Sequence, residues 1–200
     1  MLFRSYRDFG VLGYPTAAYH REMFWRGELP LWNPYSNCGV PFLAQWGTMV
    51  LYPFTLIYLL LPFPWSLNFF CLAHLWWGGV GVFRLARKWT GSNEGATLAA
   101  MLFVFNGITL STLSWPNYTA AIAWMPWIVL FASGEQRRSL LLVCVGTMQM
   151  LVGAPEITML TWFVILTIWI SEQRDRKSFF HITSAIIVIA LLSAIQLLPF

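Results

Sequence analysis

The sequence is poor in charge and lacks the short motifs that mark common soluble enzymes. Only 10% of its 200 residues are charged, which is too few to cover the surface of a soluble domain of this size. The three cysteines, Cys38, Cys71 and Cys144, are scattered, so they indicate neither a zinc site nor a disulfide framework. The sequence contains no Gly-rich phosphate loop, no His-Glu-x-x-His helix and no Gly-x-Ser-x-Gly elbow.

Hydrophobic residues dominate what is present. They make up 58% of the chain, which also carries 12 tryptophans, and one soluble domain cannot bury that much apolar surface. The composition predicts an all-α, polytopic, integral membrane protein with about six transmembrane helices. The predicted spans lie at roughly 65–86, 95–113, 117–133, 138–154, 155–171 and 180–198.

The basic residues predict the orientation of these spans. After residue 47, every Lys and Arg lies in one of three clusters, at 84–88, 137–138 and 174–177. If 65–86 is the first span of this region, all three clusters fall on the same side. Because cytoplasmic loops are enriched in Lys and Arg, that side is predicted to be the cytoplasm. The net charge of +4 is therefore interpreted as a topology signal, and no nucleic-acid partner is expected.

Residues 48–62 form an apolar run that Pro53 interrupts. The run is short for a span, so it is predicted to be an interfacial or re-entrant helix. Residues 1–47 then lie on the outer face, as a loop region with the candidate active site, and residues 63–200 form the helical bundle. If 48–62 crosses instead, residues 1–47 lie inside, where their four arginines also satisfy the charge rule.

The outer region contains a turn-rich block, Gly27-Glu-Leu-Pro-Leu-Trp-Asn-Pro-Tyr35, followed by Gly39-Val-Pro-Phe-Leu-Ala44. Its prolines, asparagines and glycines exclude a long helix, so turns and side chains must satisfy the backbone. Upstream, Asp8 is the only acid in the first 21 residues. An acid, several arginines and an ordered loop above a helical bundle are the ingredients of an active site at the lipid-water boundary.

These residues carry a resemblance. The Arg26-Gly-Glu-Leu-Pro-Leu-Trp-Asn-Pro34 string, Gly39-Val-Pro-Phe-Leu-Ala44, Trp115-Pro-Asn117 and Gln196-Leu-Leu-Pro199 resemble the bacterial YfhO-like membrane proteins nearly end to end. That family is similar to the GT-C glycosyltransferases, which take a sugar from a polyprenyl-phosphate carrier at the outer face of the membrane. The resemblance implies a GT-C-like helical bundle in the bacterial inner (plasma) membrane, with cell-envelope acceptors, membrane lipids and a lipid-linked sugar as partners.

The chain departs from that family in two ways. Family members have a transmembrane helix ahead of the loop and many more spans after it, so this chain is expected to be a fragment. Residues 153–156, the corner between the predicted spans 138–154 and 155–171, read Gly-Ala-Pro-Glu. Members of the family tend to carry Gly-His-Pro-Gln there, so the resemblance does not define the role of this corner.

The resemblance places Asp8 at the position of the family's essential acid. An aspartate can accept the proton of an acceptor hydroxyl, or it can hold a divalent cation, Mg²⁺ or Mn²⁺, that stabilises the departing phosphate. Arginine suits phosphate through its forked donors. Asp8 is therefore the predicted catalytic residue and the candidate metal ligand. The predicted substrate-binding residues are Arg7, Tyr14, His20, Arg21, Trp32, Asn33, Asn117 and Glu156.

Each of these residues also has a structural interpretation. Asp8 can pair with a neighbouring arginine, Asn33 can form a turn ahead of Pro34, and Trp32 can anchor the loop at the interface. Glu156 follows Pro155 at a helix start, where a carboxylate favours the positive end of the helix dipole. His20 fits a solvated loop position, and Asn117 begins an Asn-x-Thr glycosylation pattern attributed to chance.

Two functions remain open from the sequence. One is a membrane glycosyltransferase, specifically a hexosyltransferase, that uses a lipid-linked sugar. The other is a non-catalytic transporter or envelope assembly factor. A transporter is expected to carry ionisable residues near mid-membrane or paired broken helices. The predicted spans hold no Asp, Glu or Lys in their middles, which favours chemistry at the surface.

Overall fold

The fold is described from a computed structural model, which covers residues 9–36, 38–133, 139–171 and 176–194. Over these residues the protein is predominantly α-helical. The helices are α1 (Tyr14–Arg26), α2 (Leu56–Leu60), α3 (Trp65–Thr90), α4 (Asn93–Phe105), α5 (Gly107–Ser111), α6 (Pro116–Ala132), α7 (Ser139–Val152), α8 (Pro155–Ser171) and α9 (Arg176–Leu192). The all-α class predicted from composition is confirmed.

The first part of the chain combines helix, hairpin and short turns. A π-helical turn, Phe9–Gly13, leads into α1, which ends at Gly27, where the backbone is left-handed with φ 71°. Two antiparallel strands follow, β1 (Trp32–Asn33) and β2 (Val40–Pro41). The turn-rich block thus closes its backbone as a hairpin. The sequence did not predict the 13-residue helix α1 within residues 1–47.

Within 48–62, helical structure is limited to a 3₁₀ turn, Pro53–Thr55, and the five residues of α2. Five helical residues rise only about 7.5 Å, far less than the ~30 Å of a bilayer core. The hydroxyl of Thr55 donates to the Tyr52 carbonyl oxygen at 2.7 Å and steadies the start of this turn. That 48–62 lies at the interface, without crossing, stays a prediction.

Only two helical stretches in the described part of the chain are long and apolar enough to cross a membrane, Trp65–Thr90 and Asn93–Ser114. The second is not one helix, because Asn106 adopts an extended conformation and caps α5 through its side chain, which accepts from the Thr109 N–H at 2.9 Å. The remaining apolar helices have 14 to 17 residues. The predicted helices are therefore present, but a count of six membrane spans is not confirmed.

Helix α6 is the centre of the bundle. It packs against α3 on one side and against α7 and α8 on the other, while α4 packs on α3 and α9 on α7. Small residues of α3 allow the close approach of α6: a Cβ at Gly78 would lie 3.1 Å from the Ala123 Cα, and one at Gly81 would lie 2.7 Å from the Trp127 Nε1. This use of glycine at a helix contact is typical of packing between membrane helices.

Aromatic side chains fill the contact between α3 and α6. The rings of Trp77 and Trp127 stack with centroids 4.2 Å apart, and the Trp127 indole donates to the Trp77 carbonyl oxygen at 3.0 Å. The guanidinium of Arg84 lies over the Trp127 ring at 5.1 Å, a favourable cation-π geometry. Further along, Lys88 donates to the Ser133 carbonyl oxygen at 2.6 Å, so the C-terminal ends of α3 and α6 lie together.

The outer surface of the Asn93–Ser114 stretch is apolar, and other helices leave most of it uncovered. Only 11% of its most hydrophobic window is buried in the bundle. Five large apolar side chains along it are more than half exposed: Leu98, Met101, Leu102, Phe105 and Ile108. A soluble monomer rarely exposes so large an apolar patch.

Candidate functional site

A cavity of about 670 Å³ lies at one end of the bundle, within the size range of small-molecule sites. Six chain segments meet there: the start of α1, the loop ahead of residue 50, α2 at Tyr58, α3 at Leu67, the start of α6 and the start of α8. Its lining comprises Leu12, Gly13, Thr16, Ala17, Ala44, Gln45, Trp46, Gly47, Thr48, Met49, Tyr58, Leu67, Trp115, Pro116, Asn117, Tyr118, Gly153, Pro155 and Glu156.

Close backbone contacts hold these segments together. Gly47 adopts φ 83°, and a Cβ there would lie 2.8 Å from the Asn117 Nδ2 and 3.6 Å from the Gly153 carbonyl oxygen. A Cβ at Gly13 would lie 3.3 Å from Pro116. Glycine at both positions therefore lets the outer segment approach the two helix starts. Two corners that lie far apart in sequence, at 115–117 and 153–156, thereby form one wall.

The cavity has an apolar floor and a polar rim. Met49, Tyr58 and Leu67 are buried at the floor. Thr16, Gln45, Asn117 and Glu156 supply hydroxyl, amide and carboxylate groups around it. A mostly apolar site with a few placed polar groups is the usual construction of a ligand pocket.

Glu156 is held in place at this rim. Pro155 and Glu156 lie in the first turn of α8, and the Tyr118 hydroxyl donates to the Glu156 Oε2 at 3.1 Å. This bond joins α6 to α8 across the cavity. The described residues provide no hydrogen-bond donor for the Glu156 Oε1, which leaves that oxygen able to accept from a ligand.

In the described part of the lining, Glu156 carries the charge. Glu156 is the one ionisable acid among the described lining residues, and these residues include no Arg, Lys or His. The described part of the site therefore favours a neutral, hydroxyl-rich group over a phosphate, since a carboxylate repels a phosphate at short range.

Asp8 and Arg7, predicted to be catalytic and substrate-binding, lie outside the described residues. The described chain begins at the buried Phe9, and Leu12 and Gly13 line the cavity. The roles of Asp8 as catalytic group and as metal ligand, and of Arg7, stay predictions. In the described part of the chain, no group of three or more His, Cys, Asp or Glu converges on one point.

Tyr14 and His20 belong to α1, and the structure places both outside the cavity lining. The Tyr14 ring packs on Phe63 with centroids 4.9 Å apart. His20 is 4% exposed, and its Nδ1 lies 3.2 Å from the hydroxyl oxygen of Tyr58, a residue of the cavity floor. Burial lowers the pKa of His20 to about 4, so this imidazole is neutral at pH 7. The interpretation of His20 as a solvated loop histidine is therefore wrong.

Arg21 is engaged with the backbone of α2. Its Nη1 donates to the carbonyl oxygens of Tyr58 at 2.6 Å, of Leu61 at 2.9 Å and of Leu59. A helix leaves its last carbonyls without intrahelical partners, and a cation at this end satisfies them. This contact gives Arg21 a structural role. Its predicted role as a phosphate ligand stays untested.

Trp32 and Asn33 form part of the hairpin, away from the cavity. The Trp32 ring covers Gly39, where a Cβ would lie 2.6 Å from the indole. The Asn33 Oδ1 accepts from the Tyr35 N–H at 2.9 Å, and its Nδ2 donates to the Ser36 hydroxyl oxygen at 3.2 Å. Asn33 therefore forms the turn that its position before Pro34 indicated.

Of the predicted site residues, the structure brings Asn117 and Glu156 together at one cavity. Sequence reasoning missed their partner Tyr118, the loop residues Gln45 to Thr48, and Thr16. A weak signal existed for Gly47, because an isolated glycine at the end of an ordered loop often marks a close backbone approach.

In comparisons with known proteins, no protein-family model, no curated protein and no solved structure gives a significant match to this chain. The resemblance to the YfhO-like family therefore stays a prediction that rests on the motifs of the sequence.

Proposed function

We propose that the protein is a multi-pass membrane glycosyltransferase that moves a sugar from a polyprenyl-phosphate carrier to a cell-envelope acceptor at the outer face of the bacterial plasma membrane. The observation that carries the proposal is the place of the cavity, at the end of an apolar helical bundle opposite the basic C-terminal end of α3. The YfhO-like and GT-C-like resemblance of the loop motifs supplies the reaction.

Helix α3 relates the cavity to the membrane. Leu67, near its N-terminus, lines the cavity, whereas Arg84, Arg87 and Lys88 lie near its C-terminus. Lys88 lies 21 positions after Leu67, a rise of roughly 31 Å along the helix, about the thickness of the hydrocarbon core. With the basic end in the cytoplasm, the cavity opens at the outer face.

The other helices of the bundle run beside α3 and cross the same layer in this proposal. Helices α6 and α8, of 17 residues each, begin at the cavity and rise roughly 25 Å. The bare apolar face of Asn93–Ser114 then contacts lipid tails. Six spans result, from α3, the Asn93–Ser114 stretch, α6, α7, α8 and α9.

The reaction requires three actions at the cavity. The acceptor hydroxyl must be oriented, its proton must be accepted, and the departing polyprenyl phosphate must be stabilised. Asp8, four residues before the cavity-lining Leu12, is the proposed catalytic residue, either as the proton acceptor or as the ligand of a divalent cation, and Arg7 is the proposed phosphate contact. A divalent cation, Mg²⁺ or Mn²⁺, remains part of the proposal only through Asp8. No step derived from the described residues uses it.

The test is sugar transfer by purified protein in lipid nanodiscs. The donors are polyprenyl phosphates that carry labelled glucose, galactose or N-acetylglucosamine, and the wild type is compared with Asp8→Asn at equal amounts. Asn has nearly the shape of Asp, but it accepts no proton and binds a divalent cation far more weakly, so under either role a loss on the order of 10²-fold or more in rate is expected. Full activity of Asp8→Asn rejects the assignment of Asp8, and a well-folded wild type without transfer from any donor rejects the function.

A further inference from the structure

We infer that the cavity is the acceptor subsite of this enzyme, that it binds a neutral polyhydroxylated group, and that the Glu156 Oε1 accepts the proton of the attacking hydroxyl. This inference rests on the proposed function and assigns the two substrates of that reaction to different places. It leaves Asp8 the other role proposed for it, that of ligand of a divalent cation. The donor phosphate lies outside the described cavity, and the saccharide acceptor lies within it.

The chemistry of the lining supports a neutral sugar. Asn117, Gln45 and Thr16 offer both donors and acceptors to hydroxyl groups. Trp46 and Trp115 line the same cavity and offer flat apolar surfaces for the C–H faces of a sugar ring. The described lining supplies no cation for a phosphate, and its carboxylate disfavours one.

The cations of the described outer segment are engaged elsewhere. The Arg21 Nη1 binds the carbonyls at the end of α2, and Arg26 pairs with Glu22. Neither arginine lines the cavity. The described lining of the cavity is thus suited to hydrogen-bonding groups without negative charge.

The position of Glu156 suits proton transfer. Its Oε2 accepts from the Tyr118 hydroxyl of α6 in a solvent-exposed hydrogen bond, and its Oε1, which has no donor among the described residues, is open to the substrate. In the reaction, the acceptor oxygen forms a bond to the anomeric carbon of the donor sugar. The bond from that carbon to the phosphate oxygen breaks, its electron pair leaves with the polyprenyl phosphate, and the hydroxyl proton moves to Oε1.

Glu156→Gln isolates the proton transfer from the structural role. Glutamine keeps a carbonyl oxygen that accepts from Tyr118, so the contact between α6 and α8 persists, but the amide is a far weaker proton acceptor. We expect kcat to fall on the order of 10²-fold or more, a raised KM for the acceptor and an unchanged KM for the lipid-linked donor. Tyr118→Phe removes only the hydrogen bond to the Glu156 Oε2, so its kcat is expected to fall less than that of Glu156→Gln.

A matched control is available in Glu94, which also lies in the first turn of a helix and is exposed. Glu94→Gln is expected to transfer sugar at the wild-type rate, because Glu94 does not line the cavity. If Glu156→Gln retains wild-type kcat while the wild type transfers sugar, the inference is wrong and the proposed function stands. If Tyr118→Phe loses as much as Glu156→Gln, Glu156 is a structural residue.

Binding gives a readout that needs no turnover. Trp46 and Trp115 line the cavity, so a ligand bound there is expected to change their fluorescence. The contribution of Trp46 is the difference between the fluorescence of the wild type and that of Trp46→Phe. Titration with maltose is expected to change that part of the signal, and titration with inorganic phosphate is not. Saturable phosphate binding with no response to maltose overturns the acceptor assignment, whether or not transfer has been detected.

Discussion

The Nε2 atom of His74 lies 2.7 Å from the hydroxyl oxygen of Tyr52, which joins α3 to the segment ahead of α2. The Trp124 indole donates to the same hydroxyl at 2.7 Å, and the His74 Nδ1 lies 2.7 Å from the Phe70 carbonyl oxygen. Since a carbonyl only accepts, Nδ1 carries the proton, and Nε2 accepts from Tyr52. One chain of hydrogen bonds therefore connects α6, the 48–62 segment and α3.

Tyr52→Phe is expected to destabilise the protein by about 1–3 kcal/mol, because it leaves the buried Trp124 N–H and the His74 Nε2 without a partner. The measurement is the free energy of unfolding in detergent. Tyr35→Phe removes a hydroxyl from a residue that is 75% exposed and serves as the control. Equal destabilisation by the two changes contradicts the predicted role of this hydrogen-bond chain.

The buried His20 predicts a loss of stability in acid. Its pKa is about 4 in the folded protein and about 6.5 in an unfolded chain, so the unfolded state binds the extra proton between these values. Stability is full above about pH 6.5 and falls as the pH decreases toward 4, by about 3 kcal/mol for this group. Unfolding free energies measured from pH 7.5 to 4.5 are expected to depend less on pH in His20→Gln than in the wild type. Parallel curves for the two proteins contradict the prediction.

The sequence predicted the helices well because their apolar runs are long and their ends carry Pro, Gly and basic residues. It did not predict α1, because His20, Arg21 and Glu22 give the segment a polar surface that resembles a loop until Tyr58 and the end of α2 are placed against it. In the described part of the chain, α3 and the Asn93–Ser114 stretch, which is broken at Asn106, are long and apolar enough to span. Whether the shorter helices α6 to α9 also cross a membrane depends on how they pack, and hydropathy alone does not show that.

The candidate site was predictable only as separate pieces. Asn117 and Glu156 attracted attention as polar residues at two corners of the bundle. Their meeting depends on the close approach of Gly47, and such long-range contacts leave no local signature in the chain. Tyr118 was missed for the same reason, since its partner Glu156 lies 38 residues further along.

Gly81 is predicted to be required for the contact between α3 and α6. In Gly81→Ala, the new methyl group would lie 2.7 Å from the Trp127 Nε1 and 2.9 Å from the Pro126 Cγ. The Trp127 ring is stacked on Trp77 and hydrogen-bonded to the Trp77 carbonyl oxygen, so moving it breaks both contacts. Overpacking of this kind costs about 1–3 kcal/mol, which outweighs the gain in helix propensity of about 1 kcal/mol. Thermal unfolding in detergent measures the effect. Gly107→Ala, with no neighbour within 4 Å, is the control, and the prediction is wrong if both variants unfold alike.

The last prediction concerns the orientation of the cavity, which the native Cys38 reports. Cys38 is exposed on the hairpin and Cys71 is buried, whereas Cys144 is exposed on α7, where the proposed topology places it against lipid and out of reach of a polar reagent. If 48–62 does not cross, a membrane-impermeant maleimide labels Cys38 in intact spheroplasts, and Cys38→Ser abolishes the signal. In that background, Ser114→Cys is expected to label from outside, because it precedes the cavity-lining Trp115. Thr90→Cys, at the basic end of α3, is expected to label only after permeabilisation.

Labelling of Ser114→Cys without labelling of Cys38 shows that 48–62 crosses and places the hairpin in the cytoplasm. Labelling of Thr90→Cys in intact spheroplasts inverts the bundle and rules out a cavity at the outer face.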